Sequence, residues 1–264
     1  MATSQKIIPL STSQRKIALI IGIGDYVMGK QLPNAINDAK DMSKVLKTIG
    51  FVIHDNEPKL NLTYEEMRCT LTQFECSIKP GDMVLFYFAG HGTQWEDQNY
   101  LIPMNNFKEE LERKVELSEP FLIMFFLDCC RTYHLRHIEL QRNTREHPNN
   151  NSHGLQTMPA KVGSLIAFAC APGTTADDGN NGEKNGLFTK YLLQHLSTPN
   201  EDIRMILSDV TDGVIKESNK NQIPHVTSVL THRNIYLNEI KQGKTNFFPE
   251  YNLFNQFHFS EENK

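Results

Sequence analysis

Two stretches of the chain end in side chains that can do covalent chemistry. In "FYFAGHGTQ", His91 stands between Gly90 and Gly92 directly after an apolar run, and in "FLIMFFLDCCRTY" seven apolar residues lead into Asp128, Cys129, Cys130 and Arg131. A thiol beside an imidazole is suited to acyl transfer. The imidazole takes the thiol proton, the thiolate attacks a carbonyl, and the imidazolium protonates the departing amine. Gly92 has no side chain to shield its N–H, so together with the N–H of the nucleophilic cysteine it can form an oxyanion hole. Successive strand side chains point to opposite faces, which puts Asp128 and Cys130 on one side and Cys129 on the other, and only one of the two thiols can meet His91. A carboxylate next to a thiol raises the thiol's pKa, so Asp128 reads as a group that faces substrate, and a cationic substrate side chain is expected there.

These residues need a scaffold that brings two strand ends together, and the hydrophobic pattern supplies one. "KIALIIGI" (residues 16–23) reads as a buried strand, and the following "AINDAKDMSKVLKTIG" carries Ile36, Ala39, Leu46 and Ile49 at helical spacing until Gly50 stops it. "FVIHDN" is a second short strand. Thr63 and Glu66 form a capping box for a helix whose inner face is Met67, Leu71, Phe74 and Ile78, and Pro80-Gly81 closes that unit. "MVLFYFA", "FLIMFFL" and "SLIAFA" are continuous apolar runs, as expected of strands covered on both faces. Helical patterns at 187–196 and 203–215 follow, and "HVTSVL" is a sixth strand. Strands alternating with helices predict right-handed crossovers and a mostly parallel sheet with helices on both faces. Such a sheet gathers its functional groups at the carboxyl ends of the strands, where His91 and the two cysteines fall. Residues 132–163 are polar and weakly periodic, and read as a mobile loop; the segment after Leu237 reads as a peripheral tail.

Composition narrows the function. Twenty-seven Lys and Arg against 31 Asp and Glu give a net charge of -4 without a dense basic block, which argues against nucleic-acid binding. The first residues, "MATSQKIIPLSTSQRK", lack a signal-peptide core, and no apolar run reaches the ~18 residues of a membrane span, so a cytoplasmic or nuclear protein is expected. Five cysteines (Cys69, Cys76, Cys129, Cys130, Cys170) without a CxxC pair argue against a disulfide framework and a zinc site, and no metal or organic cofactor is expected in the chemistry.

The ordered set "KIALIIGIGDY", "LPNAINDAKDMSKVLKTIGF", "FYFAGHGTQ", "LDCCR" and "NGLFTKYLLQ" resembles the caspase-like peptidase domain, most of all its paracaspase branch, with metacaspases next. The resemblance implies a three-layer α/β/α sandwich around a mostly parallel six-stranded sheet. It also implies a division into an N-terminal extension (1–14), a peptidase domain (15–237) and a C-terminal tail (238–264). The family's His after the third strand and its Cys two residues after an Asp on the fourth map onto His91, Asp128 and Cys130, which selects Cys130 over Cys129 as nucleophile.

The same resemblance implies a substrate preference. Where caspases place arginines that hold an aspartate, this chain has acids: Asp38, Asp128 and, adjacent to Asp177, Asp178 fall where arginine- and lysine-cleaving relatives line the primary specificity pocket. Clustered carboxylates favour a guanidinium or ammonium, and bidentate pairing favours Arg. The resemblance thus implies cleavage of proteins or peptides after Arg or Lys and a homodimer paired through the last strand, "QIPHVTSVLT"; with that preference, the Arg and Lys residues in the loop at 132–163, such as Arg136, Arg142, Arg145 and Lys161, make self-cutting there expected. In one respect the sequence departs from the family. Cys130 follows His91 by 39 positions, against a family interval of about 50. A clipped helix before the nucleophile strand is expected, and with it the alternative of a catalytically silent interaction scaffold.

Overall fold

In a computed structural model, the structure describes residues 14–95, 98–105, 120–129, 161–171, 176 and 182–240, with no side-chain detail for 93–100. Apolar runs become the inner strands. β1 (Lys16–Gly22), β4 (Met83–Gly90), β7 (Leu122–Cys129) and β8 (Ser164–Phe168) lie side by side and parallel, and β4 is buried along its whole length. Their order in the sheet is β2-β1-β4-β7-β8-β9, with β3 also paired to β1.

The sheet therefore has seven strands where six are expected from the sequence. The difference comes from "FVIHDN", which yields only β2 (Val52–Ile53) before a 3-10 turn over His54–Asn56, in which Asp55 takes a left-handed conformation; pairing then resumes at β3 (Lys59–Leu60). Two two-residue strands thus share the work of one. The last strand, β9 (His225–Ser228), runs antiparallel to β8 at the sheet's edge. A hairpin outside the main sheet, β5 (Gly92–Trp95) with β6 (Gln98–Leu101), follows directly after His91.

Helices fill the two outer layers. α1 (Pro33–Thr48) carries the chain from β1 to β2, and α2 (Tyr64–Ser77) carries it back from β3 to β4, on the other side of β1. Right-handed crossovers in opposite lateral directions place α1 and α2 on opposite faces. The capping box opens α2: the Thr63 N–H donates to Glu66 Oε2 at 2.9 Å and the Glu66 N–H to Thr63 Oγ1 at 3.4 Å. α3 (Leu187–His195) packs beside α1, and α4 (Ile203–Glu217) beside α3. Gly22 and Gly24 let α1 close over the end of β1, since a Cβ on Gly22 would stand 2.6 Å from the Ala35 carbonyl oxygen. No helix among the described residues is long and apolar enough to cross a membrane.

Opposite ends of the parallel strands are finished differently. Where the strands begin, Arg15 forms a bidentate pair with buried Asp82, whose carboxylate also accepts the Lys79 N–H while its backbone carbonyl accepts the Phe121 N–H. The Arg15 guanidinium and the Lys79 N–H outweigh burial and hold the Asp82 carboxyl below the usual range. Where the strands end, the register aligns Gly22, Ala89 and Asp128, and pairs Gly90 with Cys129.

Candidate active site

His91 is the first residue past β4, and the loop between β1 and α1 holds it in place. Its Nε2 is 2.8 Å from the Lys30 carbonyl oxygen. A carbonyl only accepts, so Nε2 carries the proton and Nδ1 is left as the basic nitrogen. Desolvation of the half-buried ring, offset in part by the Lys30 carbonyl bond and aided by the nearby Lys30 charge, pushes the His91 pKa below its ordinary value, which favours the neutral ring that can take a proton.

The same loop supplies Tyr26, which is 2% exposed. Its ring lies against the imidazole with centroids 4.5 Å apart. Its hydroxyl accepts the His91 backbone N–H at 2.6 Å and donates to the Ile102 carbonyl at 3.2 Å. Backbone bonds brace the loop in turn. Asn61 Oδ1 accepts the Gly24 and Asp25 N–H groups, Val27 N–H donates to the Met104 carbonyl, and Gln31 Nε2 donates to the Tyr26 carbonyl.

The hairpin register also orients Gly92. Ile102 N–H donates to the His91 carbonyl, so His91 and Ile102 occupy a narrow, hydrogen-bonding position of the antiparallel ladder. The next pair, Gly92 with Leu101, is consequently a non-hydrogen-bonded one, and the Gly92 N–H points away from β6.

Asp38 and Asp128 converge on the first turn of α3. Asp38, 2% exposed on α1, accepts from Asn185 Nδ2 at 2.9 Å and from the N–H of Gly186, the residue that caps α3, at 3.1 Å. Asp128, 9% exposed at the end of β7, accepts from the Thr189 hydroxyl at 2.6 Å. With Thr189 donating to Asp128, the Tyr87 hydroxyl donates to Thr189, 2.6 Å away. Both acids lie close enough to Tyr87 that, after burial, their charges are the next causes holding its phenol well above the ordinary value. The structure thus brings two of the three predicted pocket acids together. Asp178, its neighbour Asp177, Cys130 and most of 132–163 lie outside the described residues.

Of the adjacent thiols, Cys129 is buried, and its carbonyl accepts a weak bond from Cys170 Sγ at 3.7 Å. The side of the pleat opposite Asp128 is therefore packed. Among the described residues no cluster of His, Cys, Asp and Glu is arranged to hold a metal ion. Sequence reasoning missed Tyr26, Lys30, Asn185 and Thr189. The last two lie within or beside "NGLFTKYLLQ", where helical periodicity was legible and the use of the first turn was not.

Comparison with known proteins identifies the family and the fold. The caspase domain family matches residues 15–236. The chain belongs to that family. The human mucosa-associated lymphoid tissue lymphoma translocation protein 1 is 24% identical over 212 residues, covering 76% of this chain and 24% of the human protein. Metacaspase-5 of Trypanosoma brucei brucei is 24% identical over 260 residues, 82% of this chain and 51% of the metacaspase. This caspase-domain chain therefore spans about a quarter to a half of the length of these two relatives. Among solved structures, caspase-1 from Spodoptera frugiperda superposes with a TM-score of 0.56 at 19% identity, covering 86% of this chain and 91% of the caspase. At that identity the likeness concerns the fold, and it agrees with the α/β/α sandwich.

Proposed function

We propose that this caspase-domain protein is a cysteine endopeptidase that cleaves after Arg or Lys, with Cys130 as nucleophile and His91 as base. The observation that carries the reading is the Lys30 carbonyl on His91 Nε2, which fixes the tautomer a thiol-activating base requires. Nδ1 takes the Cys130 proton, and the thiolate adds to the scissile carbonyl. The oxyanion is held by the N–H groups of Gly92 and Cys130. Collapse releases the amine, protonated by the His91 imidazolium, and leaves a thioester that water hydrolyses with His91 again as base. Cys130 is preferred to Cys129 because the Cys129 thiol is buried in the core.

Substrate choice in this reading comes from Asp38, Asp128 and Asp178. Among their partners, the Asn185 amide, the Gly186 N–H and the Thr189 hydroxyl are neutral donors that orient these carboxylates and carry no charge of their own. A fluorogenic peptide panel varying the residue before the cut, run on wild type and Cys130→Ala, tests the proposal. Turnover after Arg and Lys that vanishes in Cys130→Ala is expected. Efficient cleavage after Asp would remove the acidic pocket. Absence of turnover on every peptide would favour the silent scaffold, the reading to which the 39 positions between His91 and Cys130 give weight.

Self-association through β9 belongs to the same proposal. Among the described residues no strand pairs with its outer side, and Val226 on it is 37% exposed. An open edge invites a second copy. Sedimentation with and without a covalent inhibitor should show a dimer favoured by the inhibitor; a monomer throughout would count against it.

A further inference from the structure

Antiparallel strands at a narrow position normally exchange two backbone hydrogen bonds, N–H to C=O in each direction. At His91 and Ile102 one of the two is present, the Ile102 N–H donating to the His91 carbonyl at 3.0 Å. In place of the other stands a side chain. The Tyr26 hydroxyl takes the His91 N–H at 2.6 Å and passes its own hydrogen to the Ile102 carbonyl at 3.2 Å, so the pair is held open by one oxygen atom at the residue that carries the imidazole.

We propose that Tyr26 is a positioning residue for the catalytic base: its hydroxyl, inserted into the first rung of the hairpin, sets the backbone of His91 at the height where Nε2 reaches the Lys30 carbonyl. The inference rests on His91 acting as the base. Three observations support it beyond the two hydrogen bonds. Tyr26 and Lys30 belong to one short loop, so the group that locates the His91 backbone and the group that locates its ring move together. The Tyr26 ring packs against the imidazole it positions. Room for the hydroxyl depends on Gly90, where a Cβ would stand 2.6 Å from Tyr26 Oη. A phenylalanine would keep the ring contact and lose the wedge. The His91 N–H would then close directly on the Ile102 carbonyl, drawing His91 toward β6 and away from Lys30.

Displacing a reacting group by about an ångström can cost ~100-fold, so Tyr26→Phe is expected to lower kcat by ~10- to 100-fold with KM little changed. A purely structural tyrosine predicts otherwise: lower melting temperature, with kcat per inhibitor-titrated active site unchanged.

A second measurement separates this inference from the proposed activity. In the Cys130→Ala background no thiol chemistry remains, and the His91 ring can be followed by NMR through a pH titration, assigned with His91→Ala. The charged group beside the ring among the described residues is Lys30. Adding Tyr26→Phe should change both the burial of the His91 ring and its bond to Lys30, and so move its titration away from the wild-type value. An unchanged titration together with an unchanged kcat would overturn the positioning role. A shifted titration in a protein that cleaves no peptide would uphold it and overturn the peptidase reading alone.

Discussion

Asp82 and Asp128 are both buried acids on the central sheet, at opposite ends of its parallel strands, and they are treated in opposite ways. Asp82 meets a guanidinium from the same chain, and its carboxyl is held low by that partner. Asp128 meets a hydroxyl, itself bonded to a second hydroxyl, and Asp38 meets an amide and a backbone N–H. A guanidinium neutralises the charge it orients. A neutral donor orients a carboxylate without bringing a charge of its own. The acid at the amino end of the sheet is thus closed by an ion pair, whereas neutral donors help to orient the two acids at the carboxyl end, the arrangement on which the proposed preference for Arg and Lys rests.

Substitutions can break or sharpen that contrast. The largest effect belongs to the thiol: Cys130→Ala should abolish peptide hydrolysis with the fold intact by circular dichroism, while Cys129→Ala keeps most activity. The reverse result would put the wrong residue on the His91 side of β7. His91→Ala should slow turnover by ~10²–10⁴, the usual share of a positioned base. Because burial lowers the His91 pKa, the ring stays neutral in milder acid, so the acid limb of kcat/KM in wild type should have its midpoint below 6.5, the ordinary imidazole value. A midpoint above that value would contradict the half-buried, carbonyl-bonded ring.

The direct comparison comes next. Asp128→Asn should lower kcat/KM on Arg peptides more than tenfold, the low side of the ~2–5 kcal/mol that truncating a buried charge pair costs. Asp82→Asn should leave kcat/KM within about twofold and instead weaken the fold by ~1–3 kcal/mol in urea denaturation, because Arg15 loses its partner. If Asp82→Asn impaired turnover as much as Asp128→Asn, the two ends would not be functionally distinct.

The smallest effect concerns Asp202, which caps α4, pairs with Arg204 and accepts the Ile235 N–H; its carboxyl is lowered from 3.8 to about 2. A depressed folded pKa gives stability that is fully present above the unfolded value and lost as pH falls through the folded one. Asp202→Asn should therefore remove on the order of 1–2 kcal/mol of stability at neutral pH and flatten the decline between about pH 4 and 2, with no change in kcat. An equally steep decline in the variant would assign the acid sensitivity elsewhere.

Much of this could be read from residue order. Continuous apolar runs gave the four inner parallel strands because burial on both faces leaves no alternation to misread, and Thr63 with Glu66 gave the start of α2 because a capping box is a local exchange of hydrogen bonds. His91, Asp38 and Asp128 were legible as site candidates through motif order. Less local features were not. The β5–β6 hairpin carries no Asn-Gly or Gly-Gly signal at its turn, and the second strand splits where Asp55 and Asn56 adopt left-handed backbone. The support of His91 depends on a backbone carbonyl, which every residue has, and on one hydroxyl brought in from a distant loop. Neither has a signature in sequence.

The bond between Asp38 and the Gly186 N–H joins positions 148 residues apart, and the Asp128–Thr189 bond joins positions 61 apart. Closing loops of that size costs chain entropy before any contact repays it, so these contacts form late, after the neighbouring strands have paired. A nascent or partly unfolded chain therefore lacks these two anchored acids even when β4 and His91 are in place. Topology then makes the placement of these two acids a late step of folding, and couples local melting of the α3 first turn to their release before loss of the sheet.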